Sequence, residues 1–254
     1  MNHQPKTALV TGGARRIGAA LVRDLAAHGF AVAIHCNRSL DEAVRLASGI
    51  TAEGGRATVL ECDLTDLAAA AGLVPRAAEA LGPVGLLVNC ASVFERDEVR
   101  DIDWEIWDAH FALHVKAPVL LAASLANNLP GDMSGLVVNI VDQRVWRPNP
   151  DFFSYTLSKS ALWDATRTMA QALAPRVRVN AVGPGPTLPN IRQEQADFDR
   201  QVEGLILKRG PALGEFGATV RYLFEAMSVT GQMIAIDGGQ HLAWQTPDVT
   251  GMRE

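Results

Sequence analysis

Three residues in the second half of the chain, Asp142, Tyr155 and Lys159, have side chains that can hold or transfer a proton. Tyr155 and Lys159 are four residues apart, so one turn of helix would place both on the same face. An ammonium beside a phenol favours the phenolate, which predicts a Tyr155 pKa below its usual value of about 10. Asp142 lies thirteen residues before Tyr155, at the end of the apolar run 135–141. The three residues are therefore predicted to form a catalytic acid–base group.

The elements that position this group follow a regular alternation of short apolar runs and helical patterns. Continuous apolar strands joined by helices are typical of a parallel sheet covered on both faces. We predict an α/β fold in residues 1–254, a single-domain Rossmann-type doubly wound parallel sheet of about seven strands. The irregular stretch 183–209 is predicted to be a lid, with a disordered connector as the alternative. The predicted strands are residues 6–10, 30–35, 57–62, 85–89, 136–141, 176–182 and 232–236.

Local signals also predict helix boundaries. The S-x-x-E pattern from Ser39 to Glu42 predicts a capping box at the start of a helix. The helix over residues 104–127 is expected to kink at Pro118, which lacks a backbone N–H. The other predicted helices are residues 17–28, 67–80, 152–173 and 213–227.

Composition limits the classes of partner. The net charge is −5 and the basic residues are scattered, so no nucleic-acid surface is predicted. Cys36, Cys62 and Cys90 are far apart, which favours free thiols in a reducing cytoplasm. A strand pattern begins almost at once, and no apolar run approaches the roughly 20 residues of a membrane span. We expect a cytoplasmic protein with a small-molecule substrate and no membrane partner.

Two histidines and several aromatic residues have more than one interpretation. His110 and His114 are one helical turn apart, but no carboxylate or cysteine partner is evident, so no metal site is predicted. His114 is either a relay residue or a core histidine with satisfied hydrogen bonds. A group of aromatic residues before the tyrosine either walls a substrate pocket or packs as core. This group consists of Trp146, Phe152 and Phe153.

The glycine-rich turn at residues 11–18, TGGARRIG, joins the first predicted strand to the first helix. Glycine there lets backbone amides approach a pyrophosphate, which the helix N-terminus stabilises. The second strand ends without the acidic residue that usually holds the ribose of NAD. Arg38 suits a 2′-phosphate instead, although it could be a solvated surface residue. We therefore predict NADP(H), with further contacts from Arg16, His35, Asn37 and Ser39.

Taken together, these landmarks resemble the short-chain dehydrogenase/reductase family over residues 6–239. The matching motifs are TGGARRIG, CDLTD, VNCAS, the Tyr155–Lys159 pair, VNAVGPGP and VTGQMIAIDGG. The resemblance implies that Tyr155 donates the proton, that Lys159 holds the nicotinamide ribose, and that residues 183–209 form the substrate loop. It also implies cofactor contacts at Gly12, Ile17, Asp63, Leu64, Asn89, Ala91, Gly185 and Thr187.

The departures from the family pattern resemble its pteridine reductase branch, which includes bacterial dihydromonapterin and dihydrofolate reductases. In this branch an Arg stands in the glycine turn, as Arg16 does, and an HxxRS-like segment ends the second strand. Ser92 and Phe94 match its NAS segment with a nearby aromatic residue, and Asp142 stands where the family usually has serine. The resemblance implies that Phe94 and the nicotinamide sandwich a flat pterin, and that the protein is a homodimer or homotetramer.

An aspartate at position 142 fits a nitrogen heterocycle better than a ketone, because an ionised carboxylate only accepts hydrogen bonds. Asp142 could instead simply cap the following loop. One rival function is an NADPH-dependent carbonyl or alcohol oxidoreductase. Another is a non-catalytic nucleotide-binding protein, which the loss of the usual serine and of the relay asparagine, replaced by His114, would favour.

Overall fold

Seven parallel strands form one sheet in the computed structural model, which describes residues 4–190 and 193–251. The strand order is β3-β2-β1-β4-β5-β6-β7, and every neighbouring pair is parallel. The predicted fold class is confirmed. The order reverses between β1 and β4, where the carboxyl ends of an open α/β sheet leave a crevice for ligands. The strands are β1 (Thr7–Val10), β2 (Ala31–Cys36), β3 (Ala57–Glu61), β4 (Leu86–Asn89), β5 (Gly135–Ile140), β6 (Val177–Pro184) and β7 (Met233–Ile236).

Helices cover both faces of this sheet. On one face α1, α2 and α9 pack over a core that includes Val10, Val88 and Val138. On the other face α3, α4 and α6 pack over a core that includes Leu9 and Leu87. Neighbouring strand residues point to opposite faces, so burial on both sides explains why the strands read as unbroken apolar runs. The helices are α1 (Arg16–Ala27), α2 (Leu40–Ala52), α3 (Leu67–Ala71), α4 (Leu73–Leu81), α5 (Trp104–Phe111), α6 (Ala117–Asn128), α7 (Phe153–Ala172), α8 (Gln195–Glu203) and α9 (Leu213–Glu225).

Three local predictions need correction. The helix predicted over residues 67–80 is divided at Gly72, which ends α3 and precedes α4. Ser39 precedes α2 but makes no side-chain cap hydrogen bond, and Glu42, the other member of the predicted capping box, pairs with Arg15. The stretch 183–209 contains a helix, α8, and its residues 191 and 192 lie outside the described residues. A π-helical turn at Ala112–Lys116 joins α5 to α6 directly before Pro118.

The continuous helix Trp104–Asn128, formed by α5, the π-helical turn and α6, has the length predicted for residues 104–127 but is more apolar than expected. Within the described residues it alone meets the length and composition of a membrane span. A helix that covers a sheet meets the same criterion, and α6 contacts β4, β5 and α4. The π-helical turn places His114 at its middle, facing α7.

Candidate active site

A cleft of about 850 Å³ opens at the carboxyl ends of β1, β4, β5 and β6. Most of the predicted site residues line it. A larger groove of about 1010 Å³ lies around Arg23, Arg45 and Arg56 at the amino ends of β1 to β3, and contains none of them. On the predicted cofactor side the cleft is lined by Gly12, Arg16, Ile17, Ala91, Gly185 and Thr187. On the predicted catalytic side it is lined by Ser92, Phe94, Asp142, Tyr155 and Lys159.

His35 binds the backbone of the glycine turn and does not face the cleft. The Gly12 N–H donates to His35 Nδ1 at 3.1 Å, and His35 Nε2 lies 3.0 Å from the Cys62 carbonyl. A backbone N–H only donates and a carbonyl only accepts, so the ring proton is on Nε2. Burial lowers the pKa of His35, which is 2% exposed. The prediction that His35 donates to the cofactor is wrong, because both of its nitrogens are already bonded to the backbone.

The turn and the first helix form a cationic anion-binding surface. Arg15 precedes α1 without a side-chain cap, and no acidic residue lies in the first turn, so backbone donors face the cleft. Arg16 adopts φ +50°, a left-handed conformation that suits the glycine usual at this place. Its guanidinium donates to the Leu188 and Pro189 carbonyls at 3.2 and 3.1 Å. Arg16 therefore joins the glycine turn to the predicted substrate loop.

The polar residues after β2 and β3 lie at the outer edge of the cleft. Asn37 and Arg38 are exposed and Ser39 is half-buried. Asp63 accepts hydrogen bonds from the backbone N–H and the hydroxyl of Thr65, at 2.9 and 2.8 Å. These bonds, with smaller contributions from Asn37 and Arg38, lower the pKa of Asp63. The edge therefore combines one carboxylate with a nearby cation and amide.

Two predicted cofactor residues have side chains away from the cleft. Leu64 is buried in the core, so only its backbone is available to a ligand. Asn89 is also buried, and its amide N–H donates to Asn139 Oδ1 at 2.8 Å. Asn139 in turn donates to the Thr166 hydroxyl at 2.8 Å. Asn89 thus belongs to a chain of side-chain bonds that joins β4, β5 and α7 behind the cleft.

Tyr155 and Asp142 meet directly. The Tyr155 hydroxyl donates to Asp142 Oδ2 at 3.0 Å, and Asp142 Oδ1 accepts from the Arg144 N–H at 2.8 Å. Asp142 therefore caps the short 3₁₀ turn Gln143–Val145 with one oxygen and accepts the Tyr155 hydroxyl with the other. Lys159 Nζ donates to the Ile140 carbonyl at 2.9 Å and lies 5.7 Å from the Tyr155 ring centroid.

The electrostatics of this group differ from the prediction. Burial, followed by the Asp142 carboxylate, raises the pKa of Tyr155 well above 10. The predicted lowering by Lys159 is wrong, because the ammonium points to the Ile140 carbonyl while the phenol faces a carboxylate. Burial also raises the pKa of Asp142 and lowers that of Lys159 to about 8. Tyr155 is therefore a protonated phenol, and Asp142 is a carboxyl group that takes up a proton readily.

An aromatic surface lies beside the Tyr155–Asp142 pair. Phe94 stacks on Phe152, with ring centroids 4.1 Å apart and planes at 13°. Its ring also meets Tyr155 edge-on at 4.7 Å. The Arg144 guanidinium lies 5.4 Å from the Phe94 centroid and 5.3 Å from that of Phe152. The cleft therefore has a flat apolar surface, with a cation above it, next to the proton-transfer group.

A sequence profile described as short chain dehydrogenase matches residues 6–200. The chain belongs to the short chain dehydrogenase family. This confirms the family predicted from the motifs. A relative in this family, the 2-dehydro-3-deoxy-D-gluconate 5-dehydrogenase of Dickeya dadantii, is 31% identical over 249 residues, which cover 94% of this chain and 96% of that protein.

Two solved structures of short chain dehydrogenases are similar over nearly their whole length. FolM alternative dihydrofolate reductase 1 from Brucella canis, crystallised with NADP, is 61% identical with a TM-score of 0.94, covering 96% of this chain and 97% of that chain. The corresponding protein from Brucella suis, also with NADP, is 62% identical with a TM-score of 0.94, covering 96% and 98%. These similarities support the pteridine reductase branch, which was suggested by the departures of this chain from the usual family motifs.

His114 stands where the family usually has a relay asparagine, and it bonds to neither Tyr155 nor Lys159. Its Nδ1 lies 2.8 Å from the Ser158 hydroxyl, and its Nε2 lies 2.9 Å from the Ser92 hydroxyl. Burial lowers the pKa of His114 well below 6.5. His114 is therefore a neutral residue inside the fold of this short chain dehydrogenase, and it contacts the cleft residues Ser92, through a hydrogen bond, and Tyr155, whose ring it meets edge-on at 5.4 Å.

His110 makes the same kind of bonds one turn earlier. Its Nδ1 lies 2.7 Å from the Ser154 hydroxyl, and its Nε2 accepts from the Glu95 N–H at 3.4 Å. The two histidine rings stack at 5.5 Å. No group of three or more possible metal ligands occurs in residues 4–190 and 193–251.

The aromatic residues left open by the sequence separate into two kinds. Phe152 lines the cleft. Trp146 contacts His241 at 4.9 Å, and Phe153 packs near Trp107 at 6.3 Å. Sequence reasoning missed Arg144, although the arginine lies two residues after Asp142 in the same turn. A cation that close to a candidate catalytic carboxylate is the signal that would have identified it.

Proposed function

We propose that this short chain dehydrogenase is an NADPH-dependent reductase that transfers a hydride to a C=N bond of a pterin-like substrate of the dihydropteridine, dihydromonapterin or dihydrofolate type. The observation that carries the proposal is the Tyr155–Asp142 hydrogen bond beside Phe94. A protonated phenol, a carboxyl partner and a flat aromatic surface suit a planar nitrogen heterocycle. The identity of more than 60% to two FolM alternative dihydrofolate reductases supports the same substrate class.

The donors around the cleft fit NADP(H). The uncapped N-terminus of α1 and Arg16 suit a pyrophosphate, while Asn37, Arg38 and Ser39 suit a 2′-phosphate at the outer edge. The two FolM structures were solved with NADP. When bound, NADPH supplies the hydride. Lys159 lines the cleft with its ammonium 5.7 Å from the Tyr155 ring centroid, and it is positioned to hold the nicotinamide ribose.

The proton follows from the Tyr155–Asp142 pair. Hydride adds to the carbon of the C=N bond, the π electrons move to the nitrogen, and the nitrogen takes the Tyr155 hydroxyl proton. The Asp142 carboxylate, whose pKa burial raises, then takes up a proton from water at the open side of the cleft and passes it to the phenolate oxygen across the 3.0 Å contact. Arg144 holds Asp142 in place through its backbone N–H. Asp142 is thereby returned to the carboxylate that accepts the Tyr155 hydroxyl.

A carbonyl or alcohol oxidoreductase is the second candidate, supported by the 31% identity to a sugar-acid dehydrogenase. Its substrate would develop a negative oxygen beside Asp142, which an ionised carboxylate repels. To separate the candidates, NADPH oxidation is measured with dihydrobiopterin, dihydromonapterin, dihydrofolate and a panel of ketones. We expect turnover of at least one dihydropterin and a kcat/KM for ketones at least 100-fold lower. Efficient ketone reduction without pterin turnover would contradict the proposal.

The non-catalytic alternative is tested in the same assay. Tyr155→Phe is expected to bind NADPH as the parent chain does but to lose turnover, because it lacks the transferable proton. NADPH binding without turnover of any substrate in the parent chain would instead favour a nucleotide-binding protein. The test thus distinguishes loss of chemistry from loss of cofactor.

The proposal includes a single NADP-binding domain, a substrate loop at residues 183–209, and a cytoplasmic homodimer or homotetramer. Arg16 supports the loop role, because it joins that stretch to the glycine turn. Helix Trp104–Asn128 supports association, since only 39% of its most apolar window is buried within the chain. Light scattering after gel filtration is expected to give two or four times the 27.2 kDa chain mass. A single-chain mass at micromolar concentration would exclude the oligomer.

A further inference from the structure

The hydrogen bonds around His114 fix the position of its ring proton. The Val93 backbone N–H donates to His114 Nε2 at 3.3 Å, and a backbone N–H has no acceptor role. Nε2 therefore carries no proton. His114 is 1% exposed and neutral, so the single ring proton is on Nδ1.

The other side of the ring gives the same answer independently. The Ser158 hydroxyl donates to the Tyr155 carbonyl at 2.8 Å, which uses its one hydrogen. Ser158 Oγ can then only accept at the 2.8 Å contact with His114 Nδ1. Both sides of the imidazole therefore require Nδ1–H and a bare Nε2.

The position of the His114 ring proton also fixes the role of the Ser92 hydroxyl. The Ser92 Oγ lies 2.9 Å from the unprotonated Nε2, so the Ser92 hydroxyl donates to the histidine. The Val93 carbonyl, 3.3 Å away, is the longer of the two acceptor contacts. Ser92 is exposed and lines the cleft, and its hydrogen is already used. Toward a ligand its oxygen presents lone pairs only.

We infer that His114 is a positioning residue that makes Ser92 an obligate hydrogen-bond acceptor, so that the substrate must place an N–H donor at Ser92. The inference rests on the proposed function and adds a specificity rule to it. A pterin ring carries ring N–H and amino donors, whereas a simple ketone offers only an acceptor. A ketone oxygen at Ser92 would meet lone pairs, and desolvation without a partner makes such a contact unfavourable.

The test is a double-mutant cycle on Ser92 and His114, measured with the best dihydropterin. Ser92→Ala removes the acceptor and is expected to raise KM about 10-fold, equivalent to one hydrogen bond, with a smaller change in kcat. His114→Phe keeps a ring of similar size but frees the Ser92 hydroxyl to rotate, and is expected to raise KM by a similar factor. Because His114→Phe acts only through the Ser92 contact, which Ser92→Ala already removes, the double variant should be no worse than Ser92→Ala alone.

His110→Phe is the matched control, because His110 makes equivalent bonds to Ser154 and to a backbone N–H. It should lower thermal stability about as much as His114→Phe while KM stays within about twofold. KM effects of Ser92→Ala and His114→Phe that multiply, or an equal KM rise in His110→Phe, would show that His114 acts structurally and would overturn the inference. If His114→Phe does not fold, Ser92→Ala decides alone: a KM within twofold of the parent chain overturns the inference.

The proposed function and the role of His114 are tested by separate measurements. Absence of dihydropterin turnover in the unmodified chain contradicts the proposed function before any variant is made. With turnover established, only the KM pattern of the variants bears on His114. Dissociation constants for NADPH, expected to be unchanged throughout, confirm that the cofactor side of each variant is intact.

Discussion

Replacing Lys159 by methionine should stabilise the protein while abolishing catalysis. Burial lowers the Lys159 pKa from 10.5 to about 8, so at pH 7 the folded state holds an ammonium that the unfolded state solvates better. A pKa lower by about 2.5 corresponds to about 3 kcal/mol at 1.36 kcal/mol per pKa unit. This figure already includes the attraction for Asp142, so only loss of the Ile140 hydrogen bond offsets it, by about 1–1.5 kcal/mol. We expect a net gain of about 2 kcal/mol in the free energy of unfolding, and a Tm higher by roughly 4–8 °C.

The pH dependence of this difference in stability shows whether the buried Lys159 charge causes it. Between pH 8 and 10.5 the unfolded parent chain binds more protons at Lys159 than the folded chain, so the parent gains stability as pH rises. The advantage of Lys159→Met is therefore full below pH 8, falls as pH rises and reverses before pH 10.5, where only the loss of the Ile140 hydrogen bond remains. Urea unfolding at pH 7, 8, 9 and 10, at one protein concentration, measures it. Lys116→Met, at an exposed position, is the control and should show no such trend. A less stable Lys159→Met at pH 7, or a difference independent of pH, would refute the reasoning.

Three further predictions concern the aspartate, the cofactor edge and the glycine turn. Asp142→Ser should lower kcat/KM for a dihydropterin at least about 100-fold, the usual scale of a lost general acid, and unchanged steady-state kinetics would contradict its role. Arg38→Asp should reduce the NADPH-to-NADH ratio of kcat/KM by about 10–100-fold, whereas Arg45→Asp, an exposed arginine outside the cleft, should not. Gly12→Ala should lower Tm measured by calorimetry, because φ is +63° and the new Cβ would lie 2.9 Å from Ala91 Cα; a parental Tm would be inconsistent with this packing.

The parts of the fold predictable from sequence are those set by local patterns. Each β-strand is an apolar run whose residues are buried alternately on two faces, so the strands were found within a residue or two of their observed ends. Tyr155 and Lys159 lie on one helix, where spacing alone fixes their relation. Helix α8 was missed because it has no buried residue, and hence no apolar stripe to detect.

The misassigned residues depend on burial and long-range contacts instead. His35 is a polar residue near the carboxyl end of β2, yet it is enclosed by backbone groups 23 and 27 residues away. Whether the pKa of Tyr155 is raised or lowered depends on whether a cation or a carboxylate lies nearer to the phenol. The spacing of the residues along the sequence does not show this. A detectable signal did exist for the histidines: His110 and His114 share a spacing of four with Ser154 and Ser158, and each bond joins residues 44 apart. Two equal spacings on facing helices predict paired contacts.

The missing serine at position 142 and the missing relay asparagine at position 114 look, in the sequence, like two losses of catalytic function. In the structure both replacements change the cleft in the same direction. Asp142 accepts a hydrogen bond from the Tyr155 hydroxyl, and His114 accepts one from the Ser92 hydroxyl, which leaves only lone pairs of Ser92 for a ligand. A site that gives up two donors at once is less suited to a carbonyl oxygen and better suited to a ring rich in N–H groups. The two substitutions are therefore better explained as one change of substrate class than as decay of an enzyme.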